Sequence, residues 1–592
     1  MARGVAELAG LALTAEPSSR PAAGRLAAAA LIASGLAAAV VLCLTPIENP
    51  DLPWHLASAR WMLAHRAIPR AEAFSWTLQG KPWVDFEWLT QLVFYAAYAL
   101  GGDRALLVLK ALSFGGIAAA MLGVLSLWEL PAAWLAAAAP LLIVPLMPFV
   151  DLRPENFSFI LFLIQLQALE RRRLGLPLPR PAVLLALHVA GYAAWANLHA
   201  GFPFGLLACA CYGVSGRLSG RRRGEELAWA AAGLGGTLLN PYGAGLYVVL
   251  WHHAARWEEL HRLIIEWGSP SFSSLAQRGY WAFAVLGISG LVWATAQGAA
   301  PAGEHLLLLA AGVLLGSRAL RTTSYITLLL FPYGLLAWSR VRPPSWWRRA
   351  RVPVLAALLA AAAWNTWRVL RIEGYGKHLR LADEPRGARD YLLAEAGALD
   401  GLRLYNPWDW GGYLDWALYP RYRTFMDGRY LFTDLLKRTD DVWDSPPRWS
   451  ALMDQLGVDL VLMRDSPRIV SLGGRTPWRA FDLYALPRPR WALVYFDERS
   501  LILVRRSAAP VMWLDAHEYK FVHPQDLRHL RLRLVAGQAR LSDVEAEVER
   551  HARETGDTPQ TAGLKTWLAA VRRGLADGSG PAGADRKPRP RR

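Results

Sequence analysis

Cysteine is scarce in this sequence, with three residues among 592. Cys43, Cys209 and Cys211 all lie inside apolar segments, which excludes a disulfide framework and a cysteine-based metal knuckle. Charged residues are also few, at 19%, whereas 54% of the residues are hydrophobic and the mean hydropathy is +0.18. This composition predicts a polytopic membrane protein with a soluble part.

The N-terminus lacks the pattern of a cleavable signal peptide, because Arg3, Arg20 and Arg25 precede a long apolar run, as in a retained anchor. The formal net charge is +17, which in a soluble chain would indicate a nucleic-acid partner. Much of the arginine occurs in short blocks between apolar runs instead. We therefore interpret it as topology information and expect no nucleic-acid partner.

Long apolar runs dominate the first two thirds of the chain. A membrane-spanning helix needs about 20 predominantly apolar residues. By that measure we predict roughly eleven spans, at about 26–45, 104–128, 132–149, 155–170, 181–197, 201–217, 226–240, 278–297, 304–318, 322–339 and 352–370. Residues 88–100 fit a short span as well as an interfacial helix; we favour the interfacial helix, like the one predicted at 54–63.

Arginine-rich loops give the orientation of these spans. With the N-terminus in the cytoplasm, the loops at 170–180, 216–226 and 340–351 lie on the cytoplasmic side, and they hold the densest arginine clusters of the short loops. The positive-inside rule therefore agrees with this topology. It places the first loop, residues 46–91, and the C-terminal region outside the cytoplasm.

The predicted outer ends of the spans carry many polar side chains. They are Asp151, Arg153, Glu155, Asn156, Asn197, His199, Asn240, Tyr242, His252, His253, Glu266, Arg318 and Arg321. Singly, each fits ordinary capping and turn chemistry. Because polar groups near a membrane core usually face a cavity or one another, the set predicts a site on the outer face. Arg153, Arg318 and Arg321 are candidates to bind a phosphate.

The first loop supplies a candidate general base. Asp51 follows the first span closely, so its carboxylate would lie near the membrane surface, at the depth of a lipid-phosphate headgroup. There it could accept a proton from an attacking hydroxyl group. Asp51 is also well placed to cap the helix that begins near Pro53, and the two roles are compatible.

Four other residues of the loop are candidates for acid, metal-binding or acceptor-binding roles: Glu48, His55, Asp85 and Glu87. Asp85 and Glu87 alternate, so on an extended segment both side chains would face the same way. They would then bind a metal or orient an acceptor. The alternative is that they cap the helix starting near Trp88.

The pattern DLPWHLASARWMLAHRAIPRAEAFSWTLQGKPWVDFEWL, with RPEN, NLHAG and NPYG at later span ends, resembles bacterial proteins of the C-type glycosyltransferase (GT-C) superfamily. Relatives of this kind include lipopolysaccharide sugar transferases, protein O-mannosyltransferases and aminoarabinose transferases. The resemblance covers about residues 26–370 in architecture. It implies eight to fourteen spans, a catalytic aspartate near the start of a large first outer loop, a polyprenyl-phosphate-linked sugar donor and a soluble C-terminal domain.

Asp51 matches the position of the family's catalytic aspartate. Many members have paired acids at the start of the loop, whereas here Asn49 and Pro50 separate Glu48 from Asp51. The resemblance therefore leaves open which acid is the base and whether a divalent cation, Mg or Mn, takes part. It also implies a location in the bacterial inner (cytoplasmic) membrane.

The predicted fold is a polytopic α-helical membrane protein with a C-terminal extracytoplasmic α/β domain and a helical tail. Its segments are a cytoplasmic N-terminus (1–25), a GT-C-like transmembrane domain (26–370) with the outer loop 46–91, a soluble α/β domain (371–510), a helical segment (511–576) and a disordered basic tail (577–592).

Alternating helix and strand patterns characterise the soluble domain. We predict helices at 385–397 and 447–456, strands at 402–406, 423–430 and 458–463, and a hairpin at 491–506. Four polar residues, Asn406, Asp409, Asp427 and Arg429, fall at predicted strand ends, where such sheets bind ligands. Turn chemistry is the interpretation that we prefer for them.

These features predict a membrane glycosyltransferase that moves a sugar from a polyprenyl-phosphate-linked donor to an extracytoplasmic acceptor, with inversion. The acceptor would be an envelope glycan, a lipid or a protein, and membrane lipid surrounds the chain. The alternatives are a non-catalytic assembly or scaffold protein, a polysaccharide polymerase or ligase, and a lipid-linked sugar transporter. The transporter ranks lower because few charged groups fall within the predicted spans.

Overall fold

A computed structural model describes residues 22–220, 224–273, 277–316, 319–341, 384–465, 468–473 and 476–576. The chain forms two compact units. The membrane unit comprises Met1–Arg70 and Trp83–Leu381, and the C-terminal unit comprises Ala71–Pro82 and Ala382–Arg592. Part of the first loop, Ala71–Pro82, therefore belongs to the C-terminal unit. The predicted span 352–370, the tail 577–592 and Arg318 lie outside the described residues.

The described part of the membrane unit is helical. Its helices are α1 (Ala22–Leu42), α2 (Leu52–His65), α3 (Trp88–Ser126), α4 (Ala132–Leu146), α5 (Glu155–Arg173), α6 (Pro181–Leu198), α7 (Phe202–Leu218), α8 (Glu225–Thr237), α9 (Gly245–Ala255), α10 (Trp257–Leu263), α11 (Arg278–Ala296), α12 (Gly303–Gly316) and α13 (Thr323–Arg340). Single 3₁₀ turns lie at Met147–Phe149, Ile265–Trp267 and Leu320–Thr322.

Among the described residues, five helical stretches are long and apolar enough to cross a membrane: Ala23–Leu42, Trp88–Ser126, Ala132–Phe149, Pro181–Leu198 and Arg278–Ala296. Phe202–Leu218 and Gly303–Leu315 are apolar but shorter. The predicted span at 226–240 corresponds to the 13-residue helix α8, which is too short for this class. A polytopic helical architecture is thus present, but the total of about eleven spans is not confirmed.

A pair of glycines divides the longest helix. Gly101 has φ −164° and Gly102 has φ +59°, so the α-helical path breaks between the segment at 88–100 and the rest of α3. Positive φ is readily adopted by glycine, which explains why the break falls here. The predicted boundary between residues 88–100 and the following span therefore lies at these glycines.

The C-terminal unit contains a four-stranded mixed sheet. Its strands are β1 (Leu404–Tyr405), β2 (Leu460–Arg464), β5 (Trp491–Phe496) and β6 (Ser500–Arg505), in the order β1-β2-β6-β5, and a separate pair joins β3 (Ile469–Val470) to β4 (Arg479–Ala480). β1 runs parallel to β2, and the other pairs are antiparallel. Strands β5 and β6 are almost wholly buried, as expected for a sheet covered on both faces.

Helices cover this sheet. They are α14 (Arg386–Ala394), α15 (Ala396–Leu399), α16 (Trp408–Leu418), α17 (Thr433–Asp440), α18 (Pro446–Leu456), α19 (Phe481–Ala485), α20 (Val511–His517), α21 (Leu527–Val535), α22 (Leu541–Thr555) and α23 (Pro559–Ala576). The predicted hairpin at 491–506 and the strand at 458–463 are present. The strand predicted at 423–430 is wrong, because in that range the structure has one isolated bridge, between Thr424 and Ser75.

The two charged residues predicted at the end of that strand instead form a buried ion cluster. Arg429 Nε donates to both carboxylate oxygens of Asp427, at 2.8 and 3.0 Å, and its Nη1 lies 2.6 Å from Glu72 Oε2. All three side chains are buried. Asp415 contributes a further buried carboxylate, which accepts a hydrogen bond from Thr424. The cluster joins Ala71–Pro82 to the rest of the C-terminal unit.

Candidate functional site

The start of the first loop is fixed by polar contacts within the membrane unit. Lys110 is fully buried and its Nζ donates to Thr45 O, Thr45 Oγ1 and Pro46 O, at 2.7, 2.8 and 3.1 Å. The Asn49 side chain donates to Leu152 O at 2.9 Å. These bonds satisfy the polar groups after α1 and hold the segment that leads to Asp51 in one place.

Asp51 lies at the N-cap position of α2, but its side chain makes no capping hydrogen bond. Its Oδ1 instead accepts from Trp54 Nε1, at 3.2 Å. Burial raises the pKa of Asp51 to about 6, although Arg153 opposes the shift. A carboxylate with a pKa close to the working pH is suited to accept a proton, because it is ionised yet basic. The capping role predicted for this side chain is not observed.

Two arginines lie close enough to Asp51 to influence its charge. Arg153 Nη2 is 2.5 Å from Glu266 Oε1, and 19% of the Arg153 side chain is exposed. Arg321 Nε is 4.0 Å from Glu155 Oε2, and 34% of its side chain is exposed. Arg153 is therefore closely paired with Glu266, whereas Arg321 lies further from its carboxylate partner and has the more exposed side chain.

Glu87 faces two histidines. Its Oε2 lies 4.0 Å from His55 Nε2 and its Oε1 lies 3.8 Å from His199 Nε2. Burial raises the pKa of Glu87 to about 8, although Arg321 opposes the shift, and burial lowers the pKa of His199 to about 3. At neutral pH Glu87 is thus largely protonated and His199 is neutral. A protonated carboxyl can donate a hydrogen bond, so Glu87 differs in role from Asp51.

Hydrogen bonds that link His199, Ser158 and Trp195 fix the position of the His199 ring. Its Nδ1 is hydrogen-bonded to Ser158 Oγ at 2.8 Å, and Trp195 Nε1 donates to the same oxygen at 2.7 Å. The segment NLHAG ends at Gly201, where an added Cβ would lie 2.3 Å from Tyr325 Oη and 2.5 Å from Ser158 Oγ. Only glycine permits this close approach, so packing next to His199 requires a glycine at position 201.

Several predicted site residues make contacts that position loops. Asp151 accepts from the backbone N–H groups of Glu48 and Leu152. Asn156 donates to Asp151 O at 2.8 Å and to Ser113 Oγ at 3.1 Å. Asp85 Oδ1 accepts from Gln91 Nε2 at 2.7 Å. The side chains of these three residues therefore stabilise the backbone and side chains around them.

The remaining predicted residues also contact protein groups. Asn197 accepts from Trp88 Nε1 at 2.7 Å, and Asn240 Oδ1 accepts from the Tyr242 N–H at 2.8 Å. Tyr242 Oη donates to Pro69 O. His253 Nδ1 is hydrogen-bonded to Val249 O, and His252 Nε2 lies 3.3 Å from Arg256 Nη1. The turn chemistry considered for LNPYG is thus observed at Asn240.

A divalent cation would need several carboxylate or imidazole ligands at one point. Among the described residues, no group of three or more His, Cys, Asp or Glu side chains is arranged to hold a metal ion. Glu266 and Glu155, the carboxylates nearest the two arginines, face guanidinium groups. The possible Mg or Mn ion stays a prediction, and no step below passes through a metal.

The pKa of Asp51 gives a testable pH dependence. If Asp51 acts as the base, the rate requires its ionised form, so activity is lost as the pH falls through about 6. At pH 5 we expect about a tenfold lower kcat/KM than at pH 7. An aspartate of ordinary pKa would show almost no loss there. The measurement is a pH–rate profile of sugar transfer, with intrinsic tryptophan fluorescence as a control for unfolding.

No protein-family model and no curated protein sequence matches the chain. Solved structures share its fold. The oligosaccharyltransferase AglB from Archaeoglobus fulgidus, in complex with an inhibitory peptide and a dolichol-phosphate, superposes with a TM-score of 0.54 at 10% identity, over 95% of this chain and 87% of AglB. A further structure, of the oligosaccharyltransferase of that organism tethered with an acceptor peptide, superposes with a TM-score of 0.51 at 11% identity. The superposition covers 74% of this chain and 69% of the oligosaccharyltransferase.

ArnT from Cupriavidus metallidurans, bound to undecaprenyl phosphate, gives a TM-score of 0.47 at 17% identity, over 83% of this chain and all of ArnT. The two oligosaccharyltransferase superpositions show the fold class. The chain shares the fold of these oligosaccharyltransferases, which is the GT-C fold that the resemblance of its first loop implied.

Proposed function

We propose that this protein is a membrane glycosyltransferase that transfers a sugar from a polyprenyl-phosphate-linked donor to an acceptor on the extracytoplasmic side. The observation that carries the proposal is a half-buried Asp51, with a pKa raised to about 6, beside the arginines Arg153 and Arg321. A base and a phosphate-binding cation within one polar cluster are the two functions that such a transfer needs. The dolichol-phosphate and peptides held by structures of the same fold support this choice of substrates.

In the proposed reaction, Asp51 removes the proton from the acceptor hydroxyl as its oxygen attacks the anomeric carbon of the sugar. The bond between that carbon and the phosphate oxygen breaks, and its electron pair leaves with the polyprenyl phosphate. A single displacement of this kind inverts the anomeric centre. Protonated Glu87 is placed to donate a hydrogen bond to a bound oxygen, while Arg321 binds the leaving phosphate.

Arg321 is the residue that we assign to the leaving phosphate, because Arg153 is already paired with Glu266 at 2.5 Å. We expect Arg321→Gln to lower turnover by about 10²–10³-fold, the cost of removing one donor from a developing negative charge. Arg321→Lys should recover part of the rate, since it keeps the charge but loses the fork of N–H donors. Equal rates for Arg321→Gln and wild type would contradict the assignment.

The test of the proposed function uses membrane vesicles whose lipid-linked sugar pool carries a radiolabel. Vesicles that contain the protein should lose label from the organic-soluble donor fraction and gain it in an acceptor fraction. Matched vesicles that lack the protein should not. An unchanged distribution of label with the protein present would instead favour the assembly or scaffold function.

A further inference from the structure

We propose that a cavity in the membrane unit binds the phosphate headgroup of an anionic glycerophospholipid. The cavity has a volume of about 500 Å³ and lies beyond the C-terminal end of α2. Its lining includes the apolar side chains of Met62, Ile68 and Leu92 and the arginines Arg66 and Arg70. The volume falls within the range of small-molecule sites, about 300–1,000 Å³.

The charge of this cavity matches a phosphate. The described residues that line it include two arginines and no carboxylate. Arg70 Nη2 donates to Pro241 O at 3.1 Å, which fixes the guanidinium at the wall and leaves its other N–H groups for a ligand. Arginine is suited to phosphate because its planar fork can donate two parallel hydrogen bonds.

Arg66 contributes a second cation from an unusual backbone position. It ends α2 in the left-handed conformation, with φ +52° and ψ +36°, where glycine or asparagine is the common choice. Its side chain is exposed, and within the described part of the chain it makes no side-chain hydrogen bond or ion pair. Arg66 also complements the carbonyl groups of the helix end, but Arg70 lies four residues further on and has no such role.

The apolar lining indicates a lipid rather than free phosphate. Leu63 at the edge of the cavity is 55% exposed, so an acyl chain has an apolar surface next to the cationic groups. Membrane-surface segments with arginine and apolar side chains bind anionic lipids in this way.

The distance from Asp51 separates this ligand from the sugar donor. Asp51 precedes α2 and Arg66 follows it, and a helix of 14 residues is about 21 Å long. A phosphate bound to Arg66 and Arg70 is therefore too far away to be the group displaced beside Asp51. We assign the cavity to a glycerophospholipid of the surrounding membrane, and the assignment does not depend on the proposed sugar transfer.

The test is native mass spectrometry of the full chain with dioleoyl phosphatidylglycerol, dioleoyl phosphatidylcholine and undecaprenyl phosphate. We expect the double variant Arg66→Gln/Arg70→Gln to retain phosphatidylglycerol at least tenfold less than wild type, and phosphatidylcholine unchanged. Arg104→Gln is the matched control, since Arg104 is an exposed arginine at the predicted outer end of the next span and does not line the cavity. This control should bind like wild type.

Three results would overturn the proposal. Equal retention of phosphatidylglycerol by the double variant and wild type would show that the cavity is not the lipid site. Loss of undecaprenyl phosphate in the double variant would assign the cavity to the donor. Displacement of phosphatidylglycerol by millimolar inorganic phosphate, with no need for acyl chains, would indicate a free-phosphate site. Undecaprenyl phosphate binding lost only in Arg321→Gln would leave both assignments intact.

Discussion

Asp51→Asn is expected to lower the rate of sugar transfer by about 10²–10⁴-fold, which is the usual contribution of a general base. Asparagine keeps the size of the side chain and can still accept the hydrogen bond from Trp54 Nε1. It cannot take a proton from the acceptor hydroxyl, so the loss should appear in the chemical step. The measurement is a single-turnover rate, with donor binding followed separately by native mass spectrometry.

Glu48→Gln is the matched control for this experiment. Glu48 lies three residues before Asp51, and its exposed side chain is the other acid that the family resemblance left open as the base. We expect Glu48→Gln to keep nearly the full rate. A large loss of rate in Glu48→Gln with a normal rate in Asp51→Asn would identify Glu48 as the base instead. Normal rates in both variants would show that neither Glu48 nor Asp51 takes part in the reaction.

Arg429→Gln is expected to destabilise the C-terminal unit by about 3–5 kcal/mol, because it leaves the buried carboxylates of Glu72 and Asp427 without their cation. For a unit of this size the melting temperature should fall by roughly 6–20 °C. Thermal unfolding of the full chain in detergent, followed by limited proteolysis within residues 384–576, measures the effect on this unit.

Arg464→Gln, which removes an exposed ion pair, is the matched control for Arg429→Gln. Arg464 pairs with Asp409, but 38% and 49% of the two side chains are exposed. Exposed pairs contribute about 0–1 kcal/mol, so this variant should unfold within a few degrees of wild type. A similar fall in melting temperature in both variants would show that the buried cluster stabilises the unit no more than an exposed ion pair does.

The helices could largely be predicted from apolar runs, and the β5–β6 hairpin from two apolar strands flanking Asp497 and Glu498. The strand expected at 423–430 failed for a local reason. Asp427 Oδ1 accepts from the Arg429 N–H, and this side-chain bond favours a turn over a ladder of backbone bonds. The apolar residues before it are buried in a loop instead.

The members of the polar cluster could be predicted as a set, because polar residues at span ends stand out in an apolar chain. Which of these residues pair with one another could not be predicted. Arg153 and Glu266 are 113 residues apart, and Glu72 and Arg429 are 357 apart, so no local pattern relates them. Lys110 was missed, although a lone lysine within an apolar run signals a buried polar role. Whether Asp51 and its neighbours carry out catalysis stays a prediction.

Transfer of a labelled sugar in membrane vesicles, compared between wild type and Asp51→Asn at equal protein level, tests the central claim most directly. Wild-type vesicles should move label from the lipid-linked donor to the acceptor fraction, and Asp51→Asn vesicles should leave it on the lipid. Identical labelling by the two proteins would contradict the proposed role of Asp51.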